Sequence, residues 1–219
     1  MSTETKTTLS DQLEEYKAKF SERASEEVKE VYEQGIKELF ESGILRDAKH
    51  KGEKAPEFEL SNAKGKAVKL SEQYETGAVV LTWYRGGWCP YCNLSLKALQ
   101  NALPKIKGLG ANLIALTPET ADKSLSTQEK NELEFEVLTD ENNEVAKSYG
   151  LVFRVPDYVN KFYLNHFDLS EFNGNDSQEL PLAATYVINT KGEIVFEFLS
   201  ADYRERAEPS DIIEALRGL

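Results

Sequence analysis

Gly77-Ala78-Val79-Val80-Leu81-Thr82-Trp83-Tyr84-Arg85-Gly86-Gly87-Trp88-Cys89-Pro90-Tyr91-Cys92 is the stretch from which the fold is read. Its first nine residues are β-branched, aromatic and nearly uncharged, which is the composition of a strand buried on both faces. Gly86 and Gly87 break that run. After the cysteines, Leu94, Leu96, Ala98, Leu99, Ala102, Leu103 and Ile106 recur at roughly helical spacing, and Pro90 suits a first-turn position. Both sulfurs are therefore expected in the first turn of a helix that follows a buried strand.

Cys89 and Cys92 are the only cysteines of the chain. Randomly placed, two cysteines would adopt this C-x-x-C spacing about 1% of the time, so the spacing points to redox chemistry. Unpaired backbone N–H groups and the positive end of the helix dipole stabilise a thiolate there, and Arg85 is expected to add positive charge. Cys89, the first of the pair, is expected to face outward as the nucleophile. Cys92, three residues further on, is expected to be shielded, protonated and the resolving thiol.

The residues around the pair are assigned to substrate. Gly86 and Gly87 have no side chains, so loop amides can approach a bound oxygen or sulfur closely, with Trp88 beside them. The plainer role of the glycines is the positive φ of a tight turn. Arg154, after the apolar Leu151-Val152-Phe153 run, is a second candidate for lowering the Cys89 pKa, although a solvated surface guanidinium is the plainer role of either arginine. A structural disulfide would close a very short loop and restrict the unfolded chain little. Structural zinc takes four ligands, and His50 and His166 stand at no ligand spacing, so no metal and no cofactor is expected.

The rest of the chain bounds the answer. The 219 residues, 40% of them hydrophobic, fit one domain of ordinary size plus an extension. A net charge of −12 argues against nucleic acid or an anionic membrane as partner. Met1 to Lys6 contain no apolar signal region, and no stretch approaches the ~20 apolar residues of a membrane span. A cytoplasmic, reducing location follows as the expectation, where C-x-x-C is more often catalytic than structural. Residues 1–50 read as an amphipathic helical extension and residues 51–219 as the main domain. Leu13, Tyr16, Phe20, Ala24, Val28, Val31, Tyr32, Ile36, Leu39 and Phe40 keep helical period in that extension. Thr8 with Asp11 resembles a capping box, Ser21 or Ser25 restarts a second helix, and Gly43 ends it. Docking of this stripe on the protein's own core is favoured over a partner helix.

From Ala55 onward strands and helices alternate. Strands are expected at 67–70, 79–84, 112–116, 135–138, 184–189 and 194–199, and helices at 89–106, 121–130, 143–149 and 209–217. Thr190-Lys191-Gly192 turns the last two strands into a hairpin, so the sheet is mixed. Residues 153–180 read as an irregular insertion near the site, helical around 158–164.

This order of elements resembles the thioredoxin-like α/β fold: a central mixed sheet flanked by helices, here with an N-terminal helical extension. Lys54-Ala55-Pro56-Glu57-Phe58-Glu59-Leu60, the segment Trp83 to Cys92, Ala184-Thr185-Tyr186-Val187-Ile188-Asn189 with Gly192, and Asp202-Tyr203-Arg204-Glu205-Arg206-Ala207-Glu208-Pro209 are similar to the alkyl hydroperoxide reductase and thiol-specific antioxidant family, the peroxiredoxins. The resemblance covers about residues 52–219. It implies an enzyme in which Cys89 reduces hydrogen peroxide or organic hydroperoxides and becomes a sulfenic acid. Cys92 then condenses with it, and a thioredoxin- or glutathione-type reductant opens the disulfide. A homodimer is admitted. The family's P-x-x-x-T-x-x-C pattern is broken, with Thr82 at the Pro position and Gly86 at the Thr position, and Ala183 stands where an Arg usually precedes the late strand. These departures favour a rival, a thioredoxin- or glutaredoxin-like disulfide reductase, since Cys89-Pro90-Tyr91-Cys92 is similar to the glutaredoxin motif. That rival lacks a part too, because Ala183 also occupies the place of its cis-proline. A third reading is an iron–sulfur carrier that uses one Cys from each of two protomers with glutathione.

Overall fold

A computed structural model describes residues 7–219; the opening Met1 to Lys6 lies outside the described residues. Two helices lead the chain, α1 (Leu9–Arg23) and α2 (Glu26–Glu41). Thr8 and Asp11 form a reciprocal capping box on α1, and Ser25 caps α2. Gly43, at φ 83°, ends that run before a short α3 (Ile44–Asp47). Next come a small antiparallel pair, β1 (Glu59–Ser61) and β2 (Ala67–Lys69), and α4 (Leu70–Thr76).

The main body then alternates: β3 (Val79–Trp83), α5 (Pro90–Gly108), β4 (Asn112–Thr117), α6 (Ala121–Lys130), β5 (Glu136–Thr139) and α7 (Glu144–Ser148). The segment read as an irregular insertion is more ordered than its composition suggested. It holds β6 (Val152–Arg154), α8 (Asp157–Tyr163), α9 (Leu169–Asn173) and β7 (Glu179–Pro181), with β6 and β7 paired antiparallel. Three-residue strands carry no readable alternation, so neither this pair nor β1 was visible in the pattern. The chain closes with β8 (Ala183–Ile188), β9 (Ile194–Ser200) and α10 (Pro209–Arg217).

Five strands make the central mixed sheet in the order β5-β4-β3-β8-β9. β3 runs parallel to β4 and antiparallel to β8. Alternation along β3 explains its uniform apolarity. Val80 points into the cluster formed by α1, α5 and α10, whereas Val79, Leu81 and Trp83 point into the opposite cluster with Tyr149 and Tyr186. A central strand covered on both faces has no solvent side. This arrangement is the expected thioredoxin-like α/β fold. Leu9 and Leu13 of α1 belong to the same apolar cluster as α5, and Tyr16 meets Tyr91 edge-to-face at 5.1 Å. α2 contributes no fully buried residue and instead rests Tyr32 against Tyr163 and Tyr203.

Candidate active site

Cys89 is the N-cap residue of α5, Pro90 its first helical residue and Cys92 lies in its first turn. The strand delivers the chain to this point and Gly86 makes the bend: a Cβ there would sit 2.2 Å from Trp88 Nε1. Both thiols are free and both are buried, Cys89 at 1% exposure and Cys92 at 0%. The outward orientation expected of Cys89 is therefore corrected. Leu9 and Leu13 of α1, Tyr32 of α2, and Tyr203 and Arg206 after β9 close over the turn and its surroundings.

Each sulfur has its own arginine. Arg85 Nη2 approaches Cys89 Sγ at 3.7 Å, and Arg206 Nη2 approaches Cys92 Sγ at 3.1 Å. Arg85 is itself only 4% exposed. Its guanidinium lies 4.2 Å over the Tyr203 ring and 4.9 Å from that of Trp88, and its Nη1 donates to Tyr163 Oη at 3.4 Å. Desolvated cation–π contacts of this kind contribute up to ~2 kcal/mol. They help to compensate for burying a charge. Arg206 is fixed by donating Nη1 to the carbonyls of Tyr203 and Glu205.

Burial pushes the Cys89 thiol up, but the hydrogen bond from Cys92 and the charges of Arg85 and Arg206 outweigh it and hold Cys89 well below the ordinary thiol range. Cys92 moves the other way: burial, its hydrogen bond to Cys89 and the neighbouring thiolate raise it, and the two arginines offset only part. One proton shared by two sulfurs thus settles on Cys92.

The remaining expected site residues are distributed as follows. Gly87 is not free to bind a substrate, because its N–H donates to Glu119 Oε1 at 2.9 Å and a Cβ would meet Thr127 Oγ1 at 2.1 Å. Trp88 stacks on Phe167 at 4.4 Å and meets the Arg85 guanidinium, and it is not among the residues that line the cavity beside Arg85. Arg154 pairs with Asp157 at 2.8 Å with its side chain more than half exposed; the charges acting on the cysteines come from Arg85 and Arg206 instead. His50 faces Glu197 at 3.0 Å, and among the described residues no group of three or more His, Cys, Asp or Glu side chains could hold a metal ion.

Sequence reasoning missed Tyr163, Tyr203, Arg206 and Glu119. The segment Asp202 to Pro209 was noticed, yet its role appears only when β9 returns it to the start of α5. Arg204 ties it down through Asp202 and Glu33. Glu119 is fully buried behind the loop, and that burial raises its carboxyl.

A cavity of about 570 Å3 opens beside Arg85. Ile36 and Leu39 of α2, Phe153, Val155 and Val159 of the insertion, and Ala183 line it, and Arg85, Tyr163 and Tyr203 stand at its wall. Arg154 and Lys147 also border it.

A family model described as the AhpC/TSA family matches residues 51–197. The chain belongs to the AhpC/TSA family. Among curated relatives, the thiol-disulfide oxidoreductase ResA of Bacillus thuringiensis subsp. konkukian is 23% identical over 158 residues, 72% of this chain and 74% of that protein. The chloroplastic peroxiredoxin Q of Triticum aestivum is 30% identical over 155 residues, 71% of this chain and 61% of that one. Among solved structures, the peroxidoxin BcpB of Mycobacterium tuberculosis superimposes with a TM-score of 0.60 at 18% identity, over 77% of this chain and 97% of its own, which is a likeness of fold. The family model begins at residue 51, so α1 and α2 lie outside the AhpC/TSA match; α2 lines the cavity, and α1 packs into the apolar cluster that holds the two sulfurs.

Proposed function

We infer that this AhpC/TSA protein is a thiol-dependent peroxidase in which Cys89 attacks the peroxide, Cys92 resolves the sulfenic acid, and a thioredoxin-type donor reduces the disulfide. The observation that carries this reading is a thiol held as thiolate by a buried arginine whose other face meets a cavity of small-molecule size. A closed site of this kind suits a small substrate: neither sulfur offers surface to a folded protein disulfide.

Arg85 is placed to serve both partners. One Nη lies toward the sulfur and the other toward the Tyr163 hydroxyl at the cavity wall. A peroxide lying between them would have its distal oxygen at the thiolate and its leaving oxygen at hydrogen-bond donors. Thr82, at the position of the family's proline, cannot stand in for the absent threonine hydroxyl, because it is bound to Thr185 Oγ1 at 2.8 Å and to the Ala184 carbonyl at 3.1 Å. The apolar walls leave room for the organic part of a hydroperoxide.

The match to ResA keeps disulfide reduction as the second reading. Stopped-flow mixing of the reduced protein with hydrogen peroxide and with cumene hydroperoxide, followed by Trp88 fluorescence, separates the two. Oxidation much faster than that of a free thiol, ending in the Cys89–Cys92 disulfide, is the expected result. Reaction at the free-thiol rate together with rapid reduction of protein disulfides would replace the peroxidase reading with the rival.

A further inference from the structure

Arg206 lies in the loop between β9 and α10 and is not among the residues that line the cavity. Its Nη1 is locked by two backbone carbonyls, at 2.5 and 2.6 Å, which aims Nη2 at Cys92 Sγ, 3.1 Å away. That is the shorter of the two arginine–sulfur approaches, yet it is made to the sulfur that stays protonated in the reduced enzyme. A guanidinium fixed on a neutral thiol is poorly used unless that thiol becomes charged later in the cycle.

We propose that Arg206 is the catalytic residue of the resolving step, holding Cys92 as the thiolate that attacks Cys89 once Cys89 has been oxidised. The inference rests on the peroxidase reading for its place in the cycle. In the first step the Cys89 thiolate bonds to the distal peroxide oxygen and the O–O bond breaks. Cys89 is then a sulfenic acid, and the alkoxide or hydroxide released takes up a proton. This neutralises Cys89. The negative charge that kept the proton on Cys92 is gone, while Arg206 and Arg85 remain. Cys92 now releases its proton, its thiolate bonds to the Cys89 sulfur, and the S–O bond breaks. The departing hydroxide recombines with a proton to give water, so the sum is a sulfenic acid plus a thiol yielding a disulfide plus water. When a donor thiolate later attacks Cys89, Cys92 leaves as the anion that Arg206 again accepts. Oxidation of one sulfur thereby arms the other, and the arming group is the arginine in contact with Cys92 rather than Arg85, which is in contact with Cys89.

Two measurements test this, one of them independent of peroxide. In Cys89→Ser, which leaves an uncharged side chain at position 89, the groups facing Cys92 are Arg206 from the loop after β9, Arg85 from the end of β3, Tyr84 beside it, and Glu119 from the loop after β4. Thiolate absorbance should then titrate about one pH unit or more higher when Arg206→Gln is added, with Arg206→Lys in between. An unmoved midpoint would overturn the proposal, whatever the enzyme does with peroxide. In the otherwise intact protein, stopped-flow fluorescence should show that Arg206→Gln slows the peroxide-independent resolving phase at least tenfold more than the peroxide-dependent first phase. Trapping with dimedone should show the Cys89 sulfenic acid accumulating. Equal slowing of both phases would reduce Arg206 to a structural residue and overturn the assignment. A midpoint shifted by Arg206→Gln in the Cys89→Ser protein, together with a wild-type protein that does not react with peroxide, would instead sink the peroxidase reading and leave Arg206 as the residue that charges Cys92.

Discussion

At the scale of single residues, the two sulfurs differ in their surroundings more than in their exposure. Both are buried, so the difference in reactivity comes from charge and from a shared hydrogen bond. Cys89→Ser should abolish turnover. Cys92→Ser should still consume one equivalent of peroxide and stop as the sulfenic acid or a mixed disulfide, readable by mass spectrometry; equal residual activity in both variants would contradict the assignment. The pH dependence follows with a definite sign. The reactive form is the thiolate, and its pKa lies well below the ordinary thiol range, so the peroxide rate should hold to lower pH than that of a free thiol and fall as pH drops through the lowered value. Replacing Arg85 with Gln removes one of the groups that lower it, so the falling limb should move to higher pH, in step with thiolate absorbance. Tyr163→Phe should leave that titration in place while slowing reaction with peroxide several-fold, because it removes a donor to the leaving oxygen and no charge.

At the scale of elements, the strand–turn–helix around the cysteines was legible because each signal was local: an apolar run, two glycines, a proline at the first helical position and a helical stripe. Helix ends were readable for the same reason, with Ala121–Lys130 and Pro209–Arg217 lying where capping and periodicity place them. The arginine of the second sulfur was not legible. Arg206 is 114 positions from Cys92, and only the β8–β9 pairing and the return of the chain toward α5 bring them together. The glycine loop was half legible. Its bend is real, but the packing of Trp88 over Gly86 and of Thr127 over Gly87 is a tertiary fact. It decides what Gly86→Thr should do. A side chain at 86 would drive into the Trp88 indole, which is held between Phe167 and Arg85. Overpacking of this kind costs ~1–3 kcal/mol. The variant should therefore lose stability in denaturant unfolding and should slow, not quicken, the peroxide reaction. An unaltered unfolding midpoint would mean that the indole moves aside without cost.

At the scale of the whole molecule, the helices that precede the family match pack against the cluster that holds the two sulfurs. α1 inserts Leu9 and Leu13 into the cluster that contains Cys89 and Cys92, and Glu208 accepts hydrogen bonds from the Leu9 and Ser10 amides at the start of that helix. The cover is apolar and buried where it meets α5, so it stabilises the closed form, whereas the Arg204–Glu33 pair that holds α2 is half in solvent and contributes little. A closed form with sulfurs at 0–1% exposure offers no surface to a protein donor, so on the peroxidase reading reduction by a thioredoxin-type partner requires local opening. Loosening the cover should therefore affect the two halves of the cycle differently. Leu13→Ala removes a buried side chain at a cost of ~2–5 kcal/mol, part of which falls on undocking α1 alone. The expected outcome is a several-fold faster reduction of the oxidised protein by thioredoxin, with the peroxide-dependent phase slowed or unchanged and a lowered Tm. Reduction that is no faster in Leu13→Ala, measured by Trp88 fluorescence at a temperature where the variant stays folded, would show that the donor enters by a route that α1 does not block.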